Sequence, residues 1–316
     1  NGVVMITTKS GKNKAKNDID YSFQLGQQSI GNLMPMMNAS QYQQYLSASG
    51  TAGTIPTTEE AAAVGNGTNW RDAVFQNAPQ QRHALTFTGG GEKSSYMVGM
   101  TYFNQKGVAG GDKADFKRYT VRLNTDNKVK DWLNIGERLS YSNFTTTGFA
   151  ENDEFGSVMS STIVLDPITP ITYAQGGVLP AHVQKAISEG QPLVKDENGN
   201  YYGISNYIKG EYGNPVARMQ LAQQSTTQNK VVGNVFANID IIKGLKFTSR
   251  FGIDAAFVKN HNWTPLFWFS TESQNGTLNG SDYQRNYFTW NFENFATYDK
   301  TIGDHAFSVL GGMSAL

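Results

Sequence analysis

The chain has 316 residues, and its 26 basic and 26 acidic side chains cancel, which excludes a nucleic-acid binder needing a basic stripe against phosphates. It has no cysteine, so structural disulfides, thiol catalysis and Cys-based zinc sites are excluded too. No run approaches the ~18–20 consecutive apolar residues of a membrane helix, and the mean hydropathy of −0.44 would ordinarily indicate a soluble protein, but a β-barrel escapes both tests because half of every strand faces a polar lumen.

Taken in order, the chain opens without a signal peptide on an apolar, strand-like run from Asn1, as if cut from something longer. From there, alternation with period two predicts strands over 19–27, 82–90, 94–104, 116–126, 133–143, 229–241, 245–257, 285–299 and 305–314. In the first, Ile19, Tyr21, Phe23 and Leu25 oppose Asp20, Ser22, Gln24 and Gly26. In the fourth, Tyr119, Val121 and Leu123 oppose Arg118, Thr120, Arg122 and Asn124. The seventh is the cleanest: Leu245, Phe247, Ser249, Phe251, Ile253, Ala255 and Phe257 share one face, and Lys246, Thr248, Arg250, Gly252 and Asp254 the other. Strands of soluble proteins usually end after about 5–6 residues, whereas a tilted strand needs about 9–11 to cross a bilayer.

The connections are expected at 28–81, 91–93, 105–115, 127–132, 144–228, 242–244, 258–284 and 300–304, so long and short alternate. Membrane barrels sort loops this way, with short turns on the periplasmic rim and long loops outside. Aromatic girdles are expected at both rims: Tyr21, Trp132 and Tyr298 on the periplasmic one, Tyr102, Phe144, Phe257 and Tyr287 on the outer one. Glu137 would share the lipid face of Leu133, Ile135, Leu139 and Tyr141, unless a bulge near Gly136 turns it away. Nine strands is an odd number, and a single-chain bacterial barrel needs an even one; either the chain is part of a larger barrel or a further strand lies within 144–228.

No enzyme site emerges. The four histidines have no metal-ligand spacing, with His83 and His305 read as polar rim residues at strand starts. The run Gly89-Gly90-Gly91-Glu92-Lys93-Ser94 lacks the spacing of a phosphate loop and reads as a turn, as does Asp196-Glu197-Asn198-Gly199-Asn200, which lacks the later calcium-binding Glu. No catalytic residue, cofactor or metal ligand is expected. In the long loops, Tyr201, Tyr202, Trp263, Phe267 and Trp268 are the candidate substrate contacts, since aromatic faces can stack on sugar rings; packing of the loops themselves is the competing reading.

Several segments carry a family resemblance. Gly2-Val3-Val4-Met5-Ile6-Thr7-Thr8-Lys9-Ser10-Gly11-Lys12 resembles the last plug strand of SusC/RagA-type TonB-dependent transporters. Trp70-Arg71-Asp72-Ala73-Val74-Phe75, then Ala78-Pro79, is similar to their stretch before the second barrel strand. His83 to Lys93, Tyr102 to Val108, Lys117-Arg118-Tyr119 and Arg122 to Asp126 resemble their following hairpins, and Gly303 to Gly312 a later strand. The resemblance implies an all-β fold, part of a transmembrane antiparallel barrel of about 22 strands around a plug. Residues 1–16 would end the plug and 17–316 would form the N-terminal portion of the barrel. It further implies import of an oligosaccharide or peptide across a Gram-negative, Bacteroidota-like outer membrane. The partners would be a SusD-like surface lipoprotein, outer-membrane lipid, and TonB, acting through a segment missing here. A secreted all-β glycan-binding module is the alternative; it would be water-soluble and would not sort its loops by length.

Overall fold

The computed structural model describes residues 17–31, 34–50, 53–149, 154 and 156–316; the expected plug strand at 1–16 lies outside them. Nine long strands form one sheet: β1 (Asp18–Gln28), β2 (Ala78–Gly90), β3 (Ser94–Gly107), β4 (Gly111–Lys130), β5 (Leu133–Gly148), β6 (Gln223–Ile242), β7 (Leu245–Thr264), β10 (Asn279–Ile302) and β11 (His305–Ala315). Each pairs antiparallel with the next in that order. Between β7 and β10, the small hairpin β8 (Phe267–Trp268) and β9 (Gln274–Asn275) stands apart. All nine expected strands are present, and each is longer than its alternating core. At the outer ends of β6, β7 and β10, sequences such as Gln223-Gln224-Ser225-Thr226-Thr227 are polar on both faces, so the period vanishes while backbone pairing continues.

That extension corrects one connection. Where a long loop was expected at 105–115, β3 and β4 stay paired through Lys106–Asp115 and Gly107–Gly111, leaving only 108–110 between them. Gly110 and Gly111 take the left-handed φ values of 78° and 51° that this tight reversal requires. Loop sorting therefore holds for 29–77, 149–222 and 265–278 against 91–93, 131–132, 243–244 and 303–304, and fails at 108–110. Among the described residues, 149–222 contains no further wall strand. It holds α4 (Val158–Val164), α5 (Ala181–Ser188) and α6 (Pro215–Leu221).

Register separates two faces. One hydrogen-bonded row reads Tyr21, Leu85, Met100, Val121, Tyr141, Val231, Ala255, Phe288, and the adjacent row on the same face reads Ile19, Phe87, Val98, Leu123, Leu139, Gly233, Ile253, Trp290. Tyr21 and Phe288 are 61% and 67% exposed, which in water would be a liability and in a bilayer is the requirement. The row between them on the opposite face reads Asp20, Thr86, Gly99, Arg122, Ser140, Val232, Asp254, Thr289. Along β6 the apolar stripe runs from Val231 to Ile241; at ~3.3 Å per residue and a tilt near 40–45°, that spans the ~25 Å of a membrane band.

Two further expectations change. Pairing of β5 runs through Gly136 without a register shift, so no bulge re-aims Glu137, which shares the apolar face with Val235 and Phe251. Of the outer aromatics, Tyr102 and Phe257 lie in the apolar-face row Phe23, His83, Tyr102, Tyr119, Asn143, Asn229, Phe257. Phe144 and Tyr287 belong to the opposite face, opposite Arg118 and Ala256. Trp132 sits in the short turn 131–132 and Tyr298 pairs with Leu245 beside the turn 243–244, while Tyr21 lies near the start of β1. His83 falls inside β2 rather than at its start, its Nδ1 2.8 Å from the Tyr21 hydroxyl.

The long connections fold into a crown with its own core. Connection 29–77 holds α1 (Ala39–Ser49), α2 (Thr58–Ala63) and α3 (Trp70–Val74). Asn38 with Gln41, and Thr57 with Glu60, close capping boxes at the first two. Trp70, 1% exposed, donates its indole N–H to the Asp166 carbonyl at 2.8 Å, and the Thr68 hydroxyl donates to the Thr169 carbonyl at 2.7 Å. These bonds staple the two longest connections together.

Candidate functional site

The polar face is charged, and its charges sort along the strands. Towards the short turns they pair across the ladder: Arg138 with Asp126 at 2.5 Å and Arg250 with Glu293 at 3.2 Å. Towards the crown, Lys230 meets Asp254 at 3.0 Å. Arg82, Arg118 and Arg285, by contrast, have no carboxylate partner among the described residues. The Arg118 guanidinium lies 5.8 Å from the Phe103 ring centre and 5.9 Å from that of Phe116, and Phe116 contacts Phe144 at 5.6 Å. Arg285 lies 4.9 Å from the Tyr283 ring centre. Nearby, the outer ends of β5, β6, β7 and β10 surround a cavity of about 420 Å³.

In the crown, the aromatic candidates divide. Tyr202 is buried at 6% exposure in a cluster with Ala217 and Phe269, and burial raises its phenol pKa, helped by Asp196 and Glu197. Phe267 packs on that cluster, with its ring 5.3 Å from Phe269. Tyr201 closes the turn 196–200, with the Lys195 ammonium 4.5 Å over its ring. Trp263, at the end of β7, lines a second cavity of about 180 Å³ with Phe267 and Arg218. Trp268 is half-buried, and its indole N–H has no partner among the described residues. Burial lowers the Arg218 pKa to about 10 against the raising effect of Glu211; its Nη2 donates to the Glu211 carbonyl and the Ser273 hydroxyl. The five candidates thus form no single site: Tyr202 and Phe267 serve the crown core, and Tyr201, Trp263 and Trp268 border its surface.

Sequence reasoning missed the polar-face group Phe103, Phe116, Arg118 and Phe144. Parity was the available signal: Phe144 is out of step with Leu139 and Tyr141, which lie on the apolar face.

An antiparallel meander with one apolar and one charged face, and a crown of loops on one rim, is the wall of a membrane-spanning β-barrel. No helix among the described residues is long and apolar enough to cross a membrane. No protein-family model matches the chain. Over 99% of its length the chain is 25% identical to TonB-dependent receptor P26 of Formosa agariphila and 21% identical to TonB-dependent receptor SusC of Bacteroides thetaiotaomicron, covering 29% and 30% of them. It therefore spans under a third of the length of the curated relatives it matches. In fold, 97% of the chain superposes on 35% of a chain of the RagAB peptide transporter, with a TM-score of 0.72 and 21% identity. Over 99% of its length the chain is thus similar to TonB-dependent receptors, SusC among them, which are transporters of the outer membrane rather than enzymes, and it shares its fold with a chain of the RagAB transporter.

Proposed function

We propose that this chain forms part of the barrel of a TonB-dependent importer in the outer membrane of a Gram-negative, Bacteroidota-like bacterium. On this reading residues 1–16 end the plug and 17–316 form the N-terminal portion of the wall. A nutrient oligosaccharide or peptide, delivered by a SusD-like lipoprotein, passes inward when TonB pulls on the plug using the inner-membrane proton-motive force. Tyr201, Trp263 and Trp268 are the crown residues proposed to touch substrate or the lipoprotein, with Tyr202 and Phe267 shaping the crown beneath them.

The observation that carries the reading is the alignment with TonB-dependent receptors over 99% of the chain, SusC among them. The two-faced wall supports it independently. Fractionation of the source cells tests it: the protein is expected in detergent extracts of outer membranes, together with a surface lipoprotein, and its uptake activity should vanish when TonB is deleted. Recovery as a monomer soluble in plain buffer would overturn the import reading in favour of a secreted glycan-binding module.

A further inference from the structure

We infer that the outer part of the lumen is built to hold an acidic oligosaccharide, an inference that presupposes import through this barrel. Its first support is the sign of the charges. In the regular ladder near the crown, the lumen-facing charges among the described residues are Arg82, Arg118, Lys230 and Arg285, all basic, and among those residues only Lys230 has a carboxylate partner. Arg82, Arg118 and Arg285 lie in one hydrogen-bonded row with Gln24, Phe103, Phe144 and Gln228. Deeper rows mix the signs: Arg122 shares a row with Asp20 and Asp254, Asp126 and Glu293 follow, and the ion pairs of Arg138 and Arg250 neutralise themselves. Among the described residues no carboxylate neutralises these three arginines, and each is free to meet an anionic group of a ligand spread along the row. A guanidinium binds carboxylate or sulfate through two parallel hydrogen bonds. Phe103 and Phe116 flank Arg118 and limit the orientations its plane can take.

The second support is the lining of the 420 Å³ cavity one row further out. Thr146, Thr226, Asn260 and Tyr283 share that lumen-facing row, and Gln224 and Asn262 border the cavity beyond it. The Thr226 hydroxyl already donates to the Asn260 side-chain oxygen at 2.7 Å, leaving the Asn260 amide nitrogen as a donor to a ligand. Amides and hydroxyls pair with sugar hydroxyls, and the Tyr283 ring, backed by Arg285, offers a stacking face. Among the described residues the lining is made of amides, hydroxyls, His261 and the rings of Phe149 and Tyr283, the mixture of polar groups and aromatic faces that suits a sugar.

Calorimetric titration of the full-length receptor in detergent tests the inference, with hexagalacturonate, maltohexaose and hexaglutamate as probes. Hexagalacturonate should bind best, and more weakly as salt is raised. Arg118→Gln and Arg285→Gln should each lower its affinity by about tenfold, Arg→Lys should restore part of the loss, and Asn260→Ala should weaken both sugars but not the peptide. Heat-modifiable gel migration confirms that each variant is a folded barrel. Maltohexaose binding as tightly as hexagalacturonate would overturn the acidic assignment. Hexaglutamate binding as tightly as hexagalacturonate, with both unchanged by Asn260→Ala, would overturn the sugar assignment. An outer-membrane receptor that binds none of the three probes refutes the inference and leaves import standing, whereas absence from the outer membrane refutes import itself.

Discussion

The wall and the crown solve the folding problem with opposite means. In the wall, order comes from the backbone ladder, and its large apolar side chains point outward: Leu25, Phe288 and Val309 are 71%, 67% and 65% exposed. In the crown, the large residues are enclosed. Trp70, Val158, Val183, Asn214 and Asp166 are among the most completely buried side chains, and hydrogen bonds satisfy the polar ones. The wall borrows its apolar environment from lipid, while the crown makes its own. One chain is thus written for two solvents, and substitutions should act on the two regions by different rules.

The largest effect is expected in the crown. The Asp166 carboxylate accepts bonds from the amides of Ile168 and Thr169 and from the hydroxyls of Thr169 and Ser205. Asp166→Ala strands these donors in a buried site and should cost about 3–5 kcal/mol of crown stability. Limited proteolysis of connections 29–77 and 149–222 should accelerate sharply, while the wall keeps its resistance to heat in detergent. Equal loss in both regions would show that they fold as one unit.

A smaller, position-dependent effect is expected in the wall. Val121 faces the apolar side and Thr120 the lumen. Val121→Arg should destabilise by about 2–4 kcal/mol in bilayer unfolding experiments, and Thr120→Arg by close to nothing. Similar costs at the two neighbours would refute the assignment of faces.

The smallest contrast is set by pH. Burial raises the phenols of Tyr42 and Tyr173, each to about 12, with Asp166 adding to both shifts. A phenol whose folded value lies above its unfolded value stabilises the fold fully below pH ~10, and that contribution is lost as pH rises towards 12. The crown should therefore become protease-sensitive between pH 10 and 12, as tyrosinate absorbance grows. The strand circular dichroism should persist.

The same contrast explains what the sequence made legible. Wall strands announce themselves because each exposes one face to each solvent, as in Leu245 to Phe257. Their outer ends are hidden because water lies on both sides there, and that is why the hairpin at 108–110 reads in the sequence as a long loop. The crown helices are short, and their stability comes from contacts distant in sequence, such as Trp70 with Asp166. The Asn38/Gln41 and Thr57/Glu60 caps went unread, although their spacing is a helix-start signal. For the candidate site, parity alone would have placed Phe144 and Tyr287 on the lumen side. The arginine row was beyond reach without the register that aligns β2, β4 and β10.

Strand length has a consequence for where recognition takes place. β10 runs for 24 residues, although its apolar stripe ends at Phe288, and the stretch from Asn279 to Tyr287 continues the ladder into water. At ~3.3 Å per residue and a tilt near 40–45°, that stretch stands roughly 20 Å proud of the lipid. The barrel therefore ends in a parapet rather than flush with the membrane. The arginine row, three residues beyond Phe288, stands only about 7 Å above the apolar stripe, level with the headgroups, and most of the parapet rises beyond it as a wall that a ligand passes first.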